Sequence, residues 1–215
     1  LRRVILRRMG NPITDTMFGL RDFGRRLLAR PDALMLELGA GGELLVSQMR
    51  AALAMLLPLL PLINVIGGGK LRESMIGLLG AVFAIVMSQV WLALARQRGR
   101  YRWLPWLTTT YDVSTTTLVL ALLAWESPVI GLNSMVVWVF YLIAISMTAL
   151  RNDGRLTLYT GALAMLQYAL LSACIFALVD SPDQLASIDY GTATPANQVQ
   201  RLVLIAIVTV IAATI

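Results

Sequence analysis

The chain has 215 residues, of which 58% are hydrophobic and 14% charged, and its formal net charge at pH 7 is +6. Soluble domains carry about 25% charged residues, so this composition excludes an ordinary water-soluble fold and favours a membrane protein. The chain has no histidine and one cysteine, which excludes a histidine-dependent catalytic triad, histidine-ligated metal or haem, and an internal disulfide. We expect the cysteine, Cys174, to be a small buried residue.

Residues 1–43 are predicted to form a basic cytoplasmic segment beside the membrane. Eight of the eighteen basic residues fall within the first thirty positions. Asp15 or Thr16 can cap an amphipathic helix that ends before Pro31 and lies along the headgroups; a solvated helix packing on a neighbouring domain stays an alternative. A second short helix is expected from about Pro31 to Leu38, with Gly39 as its stop.

Residues 44–215 are predicted to form an all-α, polytopic six-helix transmembrane bundle. Each complete apolar run has about the twenty residues needed to cross the hydrocarbon layer. Two prolines, Pro58 and Pro61, should bend the outer half of the first span. The expected spans are about 45–66, 74–95, 103–125, 129–150, 156–179 and 201–215, the last of which is still apolar at residue 215.

The basic residues predict the orientation of this bundle. With a cytoplasmic N-terminus, fifteen of the eighteen basic residues lie in inner segments, and Lys70, Arg72 and Arg201 are the exceptions. This distribution satisfies the positive-inside rule and predicts a multi-pass protein of the bacterial inner membrane with both termini cytoplasmic. An anionic lipid surface also explains the basic excess without nucleic acid as a partner.

The third span contains the most informative polar residue. Asp112 lies about three turns from the inner interface, and Thr109 and Thr116 lie three and four positions away on the same helical face. A carboxylate at that depth costs a few kcal/mol or more unless it is protonated, hydrated or paired. Asp112 is therefore either a ligand-sensing or proton-sensitive residue, or a hydrogen-bonding clamp between helices.

Other polar residues could join Asp112 in a ligand-sensing or switching site. Candidates at comparable depth on neighbouring spans are Gln89, Tyr141, Gln167 and Tyr168. Asn133 lies toward the outer end, where a small apolar or amphipathic ligand would enter. Arg151 and Arg155 are predicted as inner-surface charges that could reach Asp112 only by stretching inward. We predict no catalytic residue and no metal site in this segment, because its carboxylates are dispersed.

Three stretches resemble a known family when they are taken together. They read YDVSTTTLVLALLAW in the third span, NSMVVWVFYLIAISMTALRNDGRLTLYTGALAMLQYALL across spans four and five, and YGTATPANQVQRLVLIAIVTVI entering span six. This pattern is similar to the six-helix N-terminal membrane region of bacterial GGDEF diguanylate cyclases; related regions precede class III nucleotidyl cyclases. The residues that carry the resemblance are Asp112, Asn133, Ser134, Arg151, Gln167, Tyr168, Gln198 and Arg201.

The resemblance implies a homodimeric sensory module that controls a C-terminal cytoplasmic output domain. For a diguanylate cyclase, that domain would use Mg and GTP and would join two GTP molecules into cyclic di-GMP; the module itself would hold no cofactor. Both ends of the chain look cut, so we expect a longer parent protein. An adenylyl or guanylyl cyclase, a sensor kinase, or a small transporter or channel subunit remain alternatives, and a membrane-embedded enzyme is disfavoured by the shortage of catalytic groups.

Overall fold

The computed structural model describes residues 33–68, 71–97, 103–179 and 181–214. This part of the chain is all-helical, with almost no strand. The amphipathic helix expected after Asp15 lies outside it. The helices are α1 (Ala33–Leu56), α2 (Leu59–Ile66), α3 (Leu71–Ala95), α4 (Leu104–Glu126), α5 (Pro128–Asn133), α6 (Met135–Ala149), α7 (Gly154–Leu178) and α8 (Pro195–Ala213). A 3₁₀ turn (Pro182–Leu185) and a hairpin of β1 (Ala186–Ser187) and β2 (Gly191–Thr192) precede α8.

Five helical stretches within the described ranges are long and apolar enough to cross a membrane. They are Gly42–Ile66, Leu71–Ala95, Pro128–Ala149, Gly154–Leu178 and Pro195–Ala213. Large apolar side chains also cover the outside of the bundle, including Ile66, Trp125 and Leu178, and so much exposed apolar surface is typical of contact with lipid. The all-α fold is therefore confirmed, and the chain has the character of a multi-pass membrane protein.

Helix α4 is as long as these five stretches but is not one of them. It occupies the predicted third span and carries Asp112 with a run of threonines. It packs against α3, α5, α6 and α7, so its polar side chains can be satisfied by neighbouring helices. The crossing of the membrane by α4 stays a prediction.

The first helix contradicts one expectation from the sequence. Helix α1 continues through Gly39 and Gly42 to Leu56, so the predicted stop at Gly39 is wrong. A glycine inside a helix costs about 1 kcal/mol, which packing can offset. At Gly42 the packing requires glycine, because a Cβ there would lie 2.9 Å from the carbonyl oxygen of Leu150.

Two of the predicted spans are interrupted. Helix α1 ends at Leu56 and α2 begins at Leu59, with Pro58 between them, which confirms the expected proline bend. The predicted fourth span is split at Ser134, whose ψ of 90° is extended rather than helical. The last helix begins at Pro195, earlier than the expected position near 201, because Thr194 caps it by accepting a hydrogen bond from the Asn197 amide at 3.2 Å.

The core lies where α4, α6, α7 and α8 meet. Its fully buried large side chains include Leu120, Trp138, Tyr141, Ile145, Tyr168 and Ile205. Helices α7 and α8 approach closely at Gly161, where a Cβ would lie 2.0 Å from Oγ1 of Thr209. The expectation that Cys174 is buried is wrong: its side chain is exposed on α7, because the core-facing positions of that helix are taken by neighbours such as Ile175.

Candidate functional site

Asp112 forms a two-pronged ion pair with Arg50 of α1. The Arg50 Nη2 donates to Oδ2 at 2.6 Å, and its Nε donates to Oδ1 at 2.8 Å. Both side chains are largely enclosed, with exposures of 9% for Arg50 and 18% for Asp112. Parallel N–H···O bonds of this kind are the strongest geometry available to a guanidinium and a carboxylate.

The predicted partners of Asp112 are not the ones the structure provides. Tyr141, Gln167 and Tyr168 bond elsewhere, and Gln89 lies on an exposed part of α3. The carboxylate is instead neutralised by an arginine from the first span. Its charge is therefore compensated within the bundle, which lowers the cost of enclosing it among apolar helices.

Arg151 takes part in a second buried ion pair, with Glu43 of α1. Its Nε lies 2.6 Å from Oε2 of Glu43, and its Nη2 donates to Oε1 at 3.2 Å. Two threonines of α4 also bond the guanidinium: Arg151 donates to Oγ1 of Thr109 at 2.7 Å and to Oγ1 of Thr108 at 3.0 Å. Arg151 thus ties the α6–α7 turn to α1 and α4, whereas Arg155 has an exposed side chain.

The burial of Arg151 disfavours the charged form of its guanidinium. Burial lowers the pKa of the Arg151 guanidinium from its ordinary value, and the nearby Glu43 carboxylate acts in the opposite direction. Because arginine stays protonated in proteins, the desolvation cost must be met by Glu43 and by the threonine oxygens. Removal of either Glu43 or Arg151 would therefore leave a buried charge without its counterion.

A neutral polar network links α4, α6 and α7. Thr117 donates to Oε1 of Gln167 at 2.6 Å and lies 2.7 Å from the hydroxyl of Tyr141. The amide nitrogen of Gln167 donates to Ser114 at 2.9 Å. The predicted candidates Tyr141 and Gln167 are therefore brought together here, because each of them bonds Thr117 of α4.

Arg201 connects α8 to the joint between α5 and α6. It donates from Nη1 to the carbonyl oxygen of Leu132 and, at 3.2 Å, to the hydroxyl of Tyr168. Its Nη2 lies 3.2 Å from the sulfur of Met135, and its guanidinium lies 5.6 Å from the ring centroid of Trp138. Tyr168 in turn donates to Oε1 of Gln198, a second residue of α8.

At the same end of the bundle as Arg201, and opposite the Arg151 end, Tyr190 joins the loop before α8 to α3 and α5. Its hydroxyl donates to Glu73 at 3.1 Å, and its carbonyl accepts from Asn133 at 2.9 Å. Burial, followed by the negative charge of Glu73, raises the pKa of Tyr190 to about 12. The phenol is therefore held neutral where it donates to the carboxylate.

A cavity of about 740 Å³ connects the Arg50 end of the bundle with the Tyr190 end. Helices α1, α2, α3, α4 and α6 supply most of its wall, which is predominantly apolar. Of the residues predicted from sequence, Asp112, Thr116 and Asn133 line this cavity; Thr116 also donates to the carbonyl oxygen of Asp112 at 3.0 Å. Its volume lies within the range of small-molecule sites.

The sequence did not predict Arg50, Glu43 or Tyr190 as members of these sites. Within the described ranges, no three acidic or cysteine side chains come together in a way that could hold a metal ion. Comparison of the chain with protein-family models, with curated proteins and with solved structures gave no match. The functional argument therefore depends on the geometry of the cavity and of the polar contacts around it.

Proposed function

We propose that this chain is a membrane-embedded sensory module, in which a ligand in the cavity biases the position of α8. In the full proposal the module crosses the bacterial inner membrane six times with both ends cytoplasmic, forms a homodimer, and controls a C-terminal output domain. Following the sequence resemblance, that domain is a diguanylate cyclase, which uses Mg and makes cyclic di-GMP from two GTP.

The observation that carries this proposal is the contact of Arg201 with the α5–α6 joint. Ser134 and Met135 at this joint line the cavity, while Arg201 of α8 contacts Leu132 and Met135. A ligand that favours one arrangement of the joint would therefore change the free energy of one position of α8 relative to another. Paired catalytic domains that must face each other would respond to such a shift in geometry.

The test compares Arg201→Lys with a matched control, Arg72→Lys, in the full-length parent protein. Lysine keeps the charge but cannot bridge Leu132, Met135 and Tyr168 with a planar guanidinium; the Arg72 side chain is 80% exposed. We expect Arg201→Lys to change cyclic di-GMP production by membranes about fivefold or more, with normal membrane insertion. Unchanged output in Arg201→Lys, or an equal change in both variants, would contradict the proposed coupling. Cyclic AMP, cyclic GMP or phosphorylation as the responding output would identify a different output domain.

A transporter or channel is the second candidate function. Two interrupted helical stretches, broken near Pro58 and at Ser134, border the cavity, and transporters bind their substrates at discontinuous helices of this kind. Proteoliposomes that contain the chain alone decide this point. Saturable uptake of a solute or ion would support transport. Proteoliposomes that contain correctly inserted protein but show no uptake would count against it.

A further inference from the structure

At the Arg50 end of the cavity, a nitrogen of the Arg50 guanidinium has no hydrogen-bond partner among the described residues. Asp112 takes the Nε and Nη2 donors of Arg50, whereas Nη1 is buried without a hydrogen-bond partner among the described residues. Arg50 itself is 8% exposed and lines the cavity. A buried donor without an acceptor costs about 1–3 kcal/mol, and more on a charged group, so this end of the cavity favours a ligand that supplies an acceptor oxygen.

The charge beside this donor restricts the kind of head group. Asp112 already neutralises Arg50 at 2.6 Å, so a carboxylate or phosphate would place a second negative charge next to the first. A neutral carbonyl oxygen can accept from Nη1 without that repulsion. The head group that fits is therefore uncharged and carries an acceptor.

The remaining wall favours an apolar chain that enters from the side. Leu53, Val119 and Phe140 are among the apolar residues along the cavity. Two more lining residues, Ile63 of α2 and Val136 of α6, are 65% and 54% exposed. Because these exposed residues stand on the lipid-facing surface of the bundle, the cavity is accessible from the hydrocarbon layer between α2 and α6.

We propose that the cavity binds a neutral acyl ester, with the ester carbonyl at Nη1 of Arg50 and the acyl chain along α3 and α6. A free single-chain ester and one acyl chain of a bilayer phospholipid share this chemistry. The inference rests on the proposed sensory function for its biological meaning, but binding can be measured on the chain alone. Acyl-ester binding without any effect on output would contradict the proposed function and leave this inference standing.

The experiment labels the chain in phosphatidylcholine–phosphatidylglycerol nanodiscs with a methyl ester whose acyl chain carries a diazirine. Methyl laurate, lauric acid and dodecane compete at equal mole fraction in the bilayer, at a pH where the acid is ionised. We expect labelling of cavity residues and competition by methyl laurate about tenfold stronger than by the other two. Equal competition by dodecane would overturn the carbonyl contact, and stronger competition by lauric acid would overturn the neutral head group.

Variants locate the site and separate it from nonspecific lipid contact. Ala84→Phe fills the cavity from α3, and Ala173→Phe adds the same ring to an exposed position of α7; labelling should fall about tenfold in the first variant alone. Equal labelling of both variants would show surface lipid and overturn the site. The paired change Arg50→Met with Asp112→Leu removes both charges together, and it should abolish the preference for the ester over dodecane while the fold is kept.

A second probe identifies the source of the ligand. Phosphatidylcholine with a diazirine in one acyl chain is compared with the free ester probe in the same nanodiscs. Labelling of the cavity by the phospholipid would support the acyl-ester class with the bilayer as its source, and labelling by the free ester alone would support a separate signal molecule. Absence of cavity labelling by both probes in wild-type protein would overturn the proposal.

Discussion

The Arg50–Asp112 pair determines the consequences of changing either of its residues. A buried ion pair can be replaced by apolar residues at little cost, but removal of one partner leaves an uncompensated charge. Both of these side chains are largely enclosed. A substitution of Asp112 therefore changes the stability of the bundle as well as the binding of any ligand in the cavity.

We expect Asp112→Asn to lower the free energy of unfolding by about 3 kcal/mol, because the charge of Arg50 loses its counterion. The paired change Arg50→Met with Asp112→Leu should recover most of that loss. Reversible unfolding of the purified chain by sodium dodecyl sulfate in mixed micelles measures both values. Gln89→Leu, at an exposed position, is the control. If Asp112→Asn were as stable as wild type, the ion pair would not contribute to the fold.

The raised pKa of Tyr190 predicts that the folded chain loses stability at high pH. Its pKa in the folded chain is about 12, against about 10 for an unfolded tyrosine, so the unfolded state releases this proton first. The stabilisation is complete below pH 10 and declines as the pH rises from about 10 to 12. We expect Tyr190→Phe to remove this part of the pH dependence, which unfolding midpoints between pH 9 and about 12 would measure.

The matched control for this pH experiment is Tyr159→Phe, because Tyr159 bonds Thr110 elsewhere in the bundle. The tyrosinate absorbance difference between wild type and Tyr190→Phe should report a pKa near 12. A difference spectrum that titrates near 10 would mean that Glu73 and burial do not hold the phenol neutral.

At the scale of elements, the contact of α7 with α8 depends on a glycine. A Cβ at position 161 would overlap the side chain of Thr209 at 2.0 Å, so Gly161→Ala must push the two helices apart. We expect a loss of about 1–3 kcal/mol in unfolding free energy, measured by the same detergent titration. Thr209→Gly in the same chain should restore the contact.

The exposed Ala162 provides the control for that prediction, because Ala162→Val adds a larger side chain at the next position without entering the α7–α8 contact. Equal destabilisation by Gly161→Ala and Ala162→Val would indicate a general effect on α7. Failure of Thr209→Gly to rescue Gly161→Ala would show that another neighbour limits the approach of the helices.

The apolar runs were sufficient to predict most helices, but two local features depended on tertiary packing. Gly39 and Gly42 have the composition of a helix stop, yet α1 continues because its packing near Leu150 outweighs the helix propensity of glycine. The break at Ser134 has no proline at that position, so periodicity alone could not predict it. The proline bend at Pro58 was predictable, since proline interrupts helical hydrogen bonding directly.

The candidate site was predictable only in part, for a reason that follows from the position of α1. Asp112 was identified because a carboxylate in an apolar run is costly, but its partner was not. The expected stop at Gly39 placed Arg50 near the start of the first span. In the structure Arg50 lies eight residues beyond Gly42, and Asp112 lies eight residues beyond Leu104 at the start of α4. Equal offsets from the first residue of the apolar stretch within α1 and from the first residue of α4 are the signal that could have paired them.

At the scale of the whole molecule, α4 carries a run of threonines and packs against four other helices. Its threonines bond within the bundle, to Arg151, Tyr141 and Gln167, so these polar side chains are compatible with a central position. A helix of 23 residues is about 34 Å long, which matches the hydrocarbon thickness of about 30 Å. A crossing by α4 would make six in total and would place both ends of the bundle on the same side.

The crossing by α4 can be tested at two exposed residues, one before α7 in the chain and one after it. In a Cys174→Ala background, Asn152→Cys should react with an impermeant maleimide only from the cytoplasmic side, and Ile188→Cys only from the outer side. If α4 does not cross while the N-terminus stays cytoplasmic, these two sides are exchanged. Labelling of intact cells and of inverted vesicles distinguishes the two arrangements. An exchanged pattern would place the two termini on different sides of the membrane and would contradict the proposed route from the cavity through α8 to a cytoplasmic output domain.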